Sequence, residues 1–334
     1  MKICHYTDVD LSRIHPIIGG GAETSITHQR KAFDRQDIDY TTDPSDEYDI
    51  LHLNLLGLPS IYHLLKAKRK GKKVVIHVHW TAENFKDSFR GSNIAAPLVD
   101  RYLSFAYSRA DLLIAVSDYT KEVVESKDLG TPVTVMSNGV DGKALDGYEK
   151  FSKKEENEHI RENIQAVNMA AVFERKGVSD YLEASKEIKD MYFTWFGPKN
   201  KILTPGKTKR KIKKAPSNLK FPGYIDDKRK GFAAGDIFFF PSRSEEEGIS
   251  LLEAAYCELP LVVRDIPAYE GWLVDGKNCL KADDVEGLID NLEKLRDDPE
   301  LREEIGQNAK EMADQRTLEV IGEKLKEAYR KVLS

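Results

Sequence analysis

The stretch FFFPSRSEEEGISLLEAA, residues 238–255, joins a short apolar run to an amphipathic segment through a charged turn. The apolar run has the length of a buried strand, and residues 249–257 have the spacing of a helix. Three glutamates fill the turn, and Glu253 stands inside the helical segment. Such a charge run is typical of a solvated turn. The alternative is a site in which Glu253 contacts hydroxyl groups of a ligand whose anionic part lies at the helix N-terminus.

Units of the same kind recur along the chain. Short apolar runs alternate with amphipathic stretches, which predicts parallel sheets with helices on both faces. A polar segment at 141–159 interrupts this alternation and predicts a linker. We therefore expect an α/β protein with two doubly wound, Rossmann-like domains, at 1–150 and 151–315, and a helix at 316–334 that packs back across them. Ligands of such folds bind at the carboxyl ends of strands, so the cleft between the domains is the expected site.

The individual elements follow from the spacing of apolar residues. The predicted strands are Lys2–Tyr6, Ile50–Leu53, Lys73–His77, Leu112–Val116, Val133–Met136, Ala166–Val172, Tyr192–Phe196, Leu219–Phe221, Ile237–Phe240 and Leu261–Val263. The predicted helices are Glu23–Phe33, Ser60–Arg69, Val99–Tyr107, Ser179–Ile188, Ile249–Cys257, Val285–Arg296 and Leu318–Leu333.

Composition indicates a soluble globular protein. The chain has 334 residues, 40% of them hydrophobic and 32% charged, and a formal net charge of −5. It has no apolar window long enough to span a membrane and no signal peptide, so a cytoplasmic location is expected. Its three cysteines are widely spaced, which argues against a disulfide framework or a zinc site. The acidic net charge and the lack of a basic motif interleaved with aromatic residues argue against nucleic-acid binding.

Three further turns follow predicted strands and are candidates for ligand binding. Glycines at 19–21 precede a helix and would let a phosphate approach its N-terminus, or form a plain flexible loop. His77 and His79 lie on one side of a strand end, either facing a site or serving as buried structural residues. No third ligand stands at metal spacing, so a metal site is rejected. Arg175 and Lys176 could stabilise a diphosphate leaving group, or form a solvated basic turn.

Taken together, these motifs resemble glycosyltransferase family 4, whose members have the B-type fold of two Rossmann-like domains. The matching segments are GGGAE (19–23), SNGVD (137–141), ERKG (174–177), NLKFPGYI (218–225), AAGDIFFFPS (233–242) and PSRSEEEGISLLEAAYCELPLVVRD (241–265). The resemblance implies an enzyme that transfers a hexose from a UDP-sugar, with UDP-glucose as the expected donor. It further implies retention of the anomeric configuration and no metal or other cofactor.

The resemblance also implies roles for individual residues. The implied catalytic residues are His79 at the reaction centre, Arg175 and Lys176 at the diphosphate, and Glu245 at the sugar. The implied donor-binding residues are Gly20, Gly21, Tyr224, Ile225, Glu247, Gly248, Ile249, Ser250 and Glu253, with Glu253 on the ribose hydroxyls.

Two positions depart from the family pattern. Many relatives have an arginine five residues before the motif lysine, where this chain has Ala171, so Arg175 or another group must supply the second cation. Relatives often have Gly-Phe after the first glutamate, where this chain has Glu246 and Glu247. It is therefore open which of the three glutamates contacts the sugar, although the spacing to Glu253 favours Glu245.

Finer features resemble bacterial 1,2-diacylglycerol 3-glucosyltransferases, notably RDIPAYEGWLVDGKNCLKA at 264–282. This implies a lipid acceptor, either diacylglycerol or an already glycosylated lipid, and peripheral association with the inner face of the cell membrane. Segment 60–73 has apolar residues beside a lysine-rich face, as expected on an anionic membrane, although a solvated helix end is the alternative. The candidate membrane-facing residues are Lys66, Lys68, Arg69, Lys70, Lys72 and Lys73.

Two other functions compete with this one. The first is a hexosyltransferase with a soluble or cell-wall polar acceptor. The second is a non-catalytic protein that binds a nucleotide-sugar or a membrane surface. The sequence gives no indication of the oligomeric state.

Overall fold

The computed structural model describes residues 1–8, 21–79, 81, 92–151, 163–199 and 206–334. These residues form two compact units. The first unit comprises Met1–Gly139 and Arg316–Ser334, and the second comprises Val140–Gln315. Each unit is built on a six-stranded parallel sheet.

The first unit has the strand order β2-β1-β3-β4-β5-β6. Alternate residues of its strands enter two different hydrophobic clusters, since Val74 and Ile76 belong to one and Val75 to the other. Both faces of the sheet are therefore covered, as in a doubly wound fold. Its strands are β1 (Lys2–Tyr6), β2 (Asp39–Thr41), β3 (Ile50–Leu53), β4 (Lys73–Val78), β5 (Leu112–Ala115) and β6 (Val133–Val135). Its helices are α1 (Gly21–Arg35), α2 (Leu58–Arg69), α3 (Ser92–Tyr107), α4 (Asp118–Glu125) and the C-terminal α12 (Leu318–Leu333).

The second unit has the strand order β12-β11-β10-β7-β8-β9. Its core is rich in aromatic residues, and Tyr181 stacks on Phe239 at 5.0 Å between ring centroids. Its strands are β7 (Gln165–Met169), β8 (Tyr192–Phe196), β9 (Leu219–Gly223), β10 (Ile237–Phe240), β11 (Leu261–Arg264) and β12 (Leu280–Ala282). Its helices are α5 (Gly142–Leu145), α6 (Val178–Glu187), α7 (Gly206–Lys213), α8 (Lys228–Ala233), α9 (Ile249–Tyr256), α10 (Val285–Asp297) and α11 (Pro299–Asp314), and Tyr148–Phe151 and Pro267–Tyr269 form short 3₁₀ turns.

The predicted fold class, two doubly wound α/β domains with parallel sheets, is confirmed. The two units divide between Gly139 and Val140, ten residues or so before the predicted boundary at 150. The segment Val140–Phe151 belongs to the second unit because α5 packs on α9 and the following 3₁₀ turn packs on α8. Helix α12 lies against α1 in the first unit, where Leu325 and Tyr329 are fully buried.

Each sheet has a topological switch point, where the chain changes the direction in which it adds strands. In the second unit β7 leads to β8 and β9 on one side, and the chain then returns to place β10 on the other side. The loops that follow β7 and β10 therefore leave in opposite directions, and a crevice opens between them at the carboxyl edge. The corresponding point of the first unit lies between β1 and β3.

The length and apolar content of the helices bear on membrane association. Among the residues that the structure describes, no helix is both long enough and apolar enough to cross a bilayer.

Candidate active site

The switch point of the second unit brings together three of the predicted catalytic residues. The loop after β7 carries Arg175 and Lys176, and the loop after β10 carries Glu245. The ammonium of Lys176 donates to both carboxylate oxygens of Glu245, at 2.5 and 2.8 Å. Ser242 donates a further hydrogen bond of 2.5 Å to Oε1 of the same carboxylate. The pair is therefore held at the carboxyl edge, where ligands of such sheets bind.

Backbone contacts join the same two loops. The guanidinium of Arg175 donates to the carbonyl oxygen of Ser244 at 2.5 Å, and the backbone N–H of Arg243 donates to the carbonyl oxygen of Arg175 at 2.8 Å. Gly177 has a φ of 80°, and a Cβ added there would overlap the carbonyl oxygen of Pro241. Only glycine fits this position, so the last residue of the ERKG motif allows the two loops to approach so closely.

Burial and pairing compete in setting the charge of this pair. Burial opposes ionisation of Glu245, but the charges of Lys176 and Arg175 and the hydrogen bonds from Lys176 and Ser242 outweigh it, so the pKa of Glu245 is lowered. Burial lowers the pKa of Lys176 more than Glu245 raises it. The lysine also lies 5.4 Å from the ring centroid of Phe240, which supports its positive charge by a cation–π contact.

Helix α9 begins directly after this loop. Its N-cap, Gly248, has a φ of 95° and no side-chain capping hydrogen bond, so the first backbone N–H groups around Ile249 and Ser250 lack a side-chain cap. Such a helix start attracts anions. Glu253 is buried on the same helix, where Lys228 donates to its Oε1 at 2.5 Å. Two carboxylates and a helix N-terminus thus flank one loop, as the spacing of the glutamates predicts.

The structure distinguishes the three consecutive glutamates. Glu245 pairs with Lys176, and Glu245 and Glu247 are both buried, whereas Glu246 is half-buried. Tyr224 and Ile225 follow β9 at the same carboxyl edge, with Tyr224 exposed and Ile225 half-buried. The sugar and nucleotide contacts of these residues stay predictions.

Sequence reasoning missed three residues of this site. Ser242 fixes the carboxylate of Glu245, and Lys228 fixes that of Glu253. Buried Asp180, in the first turn of α6, accepts hydrogen bonds from Arg243 at 2.7 Å and from Arg264 at 2.8 Å. Of the three, only Asp180 could have been found from the sequence, because an acidic residue in the first turn of a helix is a recognisable pattern.

In the first unit, polar side chains form a chain of contacts at the switch point. His5 Nε2 lies 2.8 Å from Gln29 Oε1 and 2.9 Å from the side-chain nitrogen of Asn54. Asn54 Oδ1 in turn lies 3.0 Å from His79 Nε2. Ser25 on α1 donates to Asn138 of the SNGVD motif. Asn54 therefore orients the ring of His79, a contact that links the ends of β3 and β4.

Four histidines of the first unit are closely packed. His77 stacks on His79 at 4.6 Å and on His52 at 5.8 Å between ring centroids, and His5 meets His52 edge to face at 5.2 Å. Burial lowers the pKa of His5 to about 3 and that of His79 to about 4. It also holds the pKa values of His52 and His77 well below their usual range. His79 is therefore a neutral imidazole at pH 7.

Two other predicted features are the glycines before α1 and the lysine-rich segment at 66–73. Gly20 lies outside the described residues, and Gly21 begins α1, where an added Cβ would meet nothing within 4 Å. Within the lysine-rich segment, Lys68 pairs with Asp111 at 2.8 Å. The other candidates range from half-buried to exposed: Lys66, Lys72 and Lys73 are half-buried, and Arg69 and Lys70 are exposed.

The described part of the chain contains no candidate metal site. No group of three or more His, Cys, Asp or Glu side chains there is arranged to hold a metal ion.

Two family models and several curated proteins match the chain. The family model described as "Glycosyltransferase Family 4" matches residues 43–143, and the model described as "Glycosyl transferases group 1" matches residues 149–312. The processive diacylglycerol alpha-glucosyltransferase of Acholeplasma laidlawii is 34% identical over 325 residues, which cover 94% of each chain. The alpha-galactosylglucosyldiacylglycerol synthase of Streptococcus pneumoniae is 26% identical over 239 residues, 67% of this chain and 62% of that protein.

A solved structure supports the fold assignment. Anabaena Alr3699/HepE in complex with UDP-glucose superimposes with a TM-score of 0.76 at 16% identity, covering 99% of this chain and 100% of that chain. At this identity the likeness shows the fold alone. Together with the relative that is similar over nearly the full length, these matches establish that the chain belongs to glycosyltransferase family 4 and has its B-type fold.

Proposed function

We propose that the protein transfers glucose from UDP-glucose to diacylglycerol or to a glycosylated diacylglycerol, with retention of the anomeric configuration. The observation that carries the proposal is the Lys176–Glu245 pair beside the start of α9, at the switch point of the second unit. Cations and free helix N–H groups suit a diphosphate, and carboxylates suit sugar hydroxyls. The lipid acceptor is supported by the names of the relatives from A. laidlawii and S. pneumoniae.

The proposed mechanism needs no dedicated base and no metal ion. The bond between C1 of the sugar and the diphosphate oxygen breaks, and its electron pair goes to that oxygen. Lys176, Arg175 and the N–H groups at the start of α9 stabilise the charge that develops there. The acceptor hydroxyl forms the new bond to C1 on the same face and gives its proton to the departing diphosphate oxygen. Glu245 orients Lys176 and accepts a hydrogen bond from a sugar hydroxyl.

Glu245→Gln should lower kcat about 100-fold, which corresponds to about 2.7 kcal/mol of transition-state stabilisation. The amide keeps the size of the carboxylate but cannot form the ion pair that orients Lys176. Glu246→Gln is the matched control, because Glu246 is its half-buried neighbour, and it should stay within about threefold of the wild type. Initial rates of UDP release measure both variants. Full activity of Glu245→Gln, or an equal loss in Glu246→Gln, would refute the assignment of Glu245.

The proposed membrane contact lies on α2. Leu58 and Tyr62 on this helix are 79% and 61% exposed, which is unusual for large apolar side chains. Arg69 and Lys70 are exposed at and just beyond the C-terminal end of the same helix. Exposed apolar residues beside cations are typical of a helix that lies in the interface of an anionic membrane. These observations support peripheral association with such a surface.

Neutralising Arg69 and Lys70 together as glutamines should weaken binding to vesicles that contain phosphatidylglycerol about 30-fold at low salt. Each basic residue near an anionic surface contributes about 1 kcal/mol, and salt screens this contribution. Lys186 and Lys189 are exposed in the second unit, and their double glutamine variant is the control that should bind like the wild type. Vesicle sedimentation measures the binding. Equal binding of both variants, or binding of the wild type that salt does not weaken, would count against α2 as the contact.

One assay separates the proposal from its competitors. The protein is incubated with a panel of UDP-sugars and with diacylglycerol, glucosyl-diacylglycerol or soluble sugars, and the products are identified by mass spectrometry. We expect a hexosylated lipid with UDP-glucose. Products on soluble sugars alone would indicate a polar acceptor, and the absence of any UDP release would indicate a binding protein.

A further inference from the structure

An ion pair in the second unit joins Glu253, a residue of the glutamate motif, to Lys228, which lies in none of the motifs. Lys228 Nζ lies 2.5 Å from Glu253 Oε1, and the side chains are 37% and 6% exposed. Lys228 begins α8, whose N-cap Asp227 accepts a hydrogen bond from the backbone N–H of Arg229 at 3.1 Å. Asp227 therefore caps the start of α8, and the side chain of Lys228 extends to Glu253 on α9.

The two carboxylate oxygens of Glu253 differ in their hydrogen bonding. Oε1 of Glu253 accepts from Lys228, whereas no residue in the described part of the chain donates to Oε2. Oε2 can therefore accept hydrogen bonds from a ligand. The free oxygen lies on α9, the helix whose uncapped start suits a phosphate. A ligand with its anion at that start and hydroxyl groups further along the helix would supply the missing donors.

We propose that Lys228 is a positioning residue for ribose recognition, an inference that rests on the proposed use of a UDP-sugar. The lysine holds the carboxylate of Glu253 turned so that Oε2 accepts hydrogen bonds from the ribose hydroxyls. Without the lysine, the orientation of this carboxylate is no longer fixed. Lys228 thereby sets the preference for ribonucleotides over deoxyribonucleotides.

The test compares UDP with 2′-deoxy-UDP by isothermal titration calorimetry on the full chain. We expect the wild type to prefer UDP by at least about tenfold, because a site built to bond a hydroxyl rejects the analogue that lacks it. Lys228→Met should reduce this preference to about threefold or less. Lys228→Arg, which keeps a cation at the site, should restore most of the preference.

Two further variants make the outcome decisive. Lys230→Met changes an exposed lysine of the same helix and should leave the preference unchanged. Glu253→Gln should abolish the preference, and adding Lys228→Met to it should change nothing more, since the lysine acts through the carboxylate. If Lys228→Met keeps the wild-type preference while the wild type binds UDP, the inference is overturned and the proposed function stands. If the wild type binds no UDP, both fail together.

Discussion

Replacing Lys176 by methionine should lower kcat for glucosyl transfer about 1000-fold. The ammonium is held at the switch point by two hydrogen bonds to Glu245, at 2.5 and 2.8 Å, in surroundings where burial lowers its pKa. A preorganised charge in a poorly solvated site stabilises a developing anion far more strongly than the same charge in water. Because the leaving diphosphate gains charge as the bond breaks, kcat should fall much more than KM rises.

The control for this variant is Lys186→Met, which removes an exposed lysine from α6 of the same unit. It should leave kcat within about twofold of the wild type. Steady-state rates of UDP release from UDP-glucose in the presence of diacylglycerol vesicles measure both. A Lys176→Met enzyme that keeps more than a tenth of the wild-type kcat would show that another group carries the leaving-group charge.

Mild acid should destabilise the first unit by about 5 kcal/mol between pH 7.5 and pH 5.5. His5, His52, His77 and His79 are neutral, and burial lowers their pKa values from 6.5, to about 3 for His5 and about 4 for His79. The unfolded chain takes up protons near pH 6.5, whereas the folded chain does so only at much lower pH. The stability is therefore fully present above pH 6.5 and falls as the pH falls toward the folded values, by about 1.4 kcal/mol per pH unit for each histidine.

The variant that tests this account is His77→Phe. Both ring nitrogens of His77 are buried and have no hydrogen-bond partner among the residues that the structure describes, so phenylalanine removes the titrating group without breaking a hydrogen bond within that part of the chain. The slope of unfolding free energy against pH should fall by about a quarter. His63→Phe, a half-buried ring on α2, is the control and should change the slope less. Urea unfolding at several pH values, followed by pulsed hydrogen exchange of β3 and β4 peptides, measures the slope for the first unit. An unchanged slope in His77→Phe would contradict the account.

Most strands could be predicted because their apolar runs are buried on both faces. Ile237–Phe240 was predicted with its observed bounds, and all four residues are fully buried. The edge strands β2 and β12 were not predicted, since their three residues, DYT and LKA, do not form an apolar run. Helix α11 was also missed, although Asp298 caps it and Pro299 begins it, because only a few of its residues are apolar and buried.

The sequence predicts those parts of the site that follow from the order of the strands in the sheet. Loops that follow neighbouring parallel strands meet at one edge, and this brings Lys176 and Glu245 together although 69 residues separate them. The contacts between Lys228 and Glu253 and between Asn54 and His79 depend on side-chain conformations that no sequence spacing fixes. They became visible only once the packing of the helices and loops around each sheet was known.

The proton NMR spectrum of the glucosylated lipid formed from UDP-glucose and diacylglycerol, with a metal chelator present, tests the central claim most directly. UDP-glucose has an axial bond from C1 to the diphosphate, so transfer with retention gives an axial glycosidic oxygen. We predict a single product whose H1 shows the small coupling to H2 that marks this α configuration. A product with the large coupling of the β configuration, or no product until a divalent metal is added, would contradict the account.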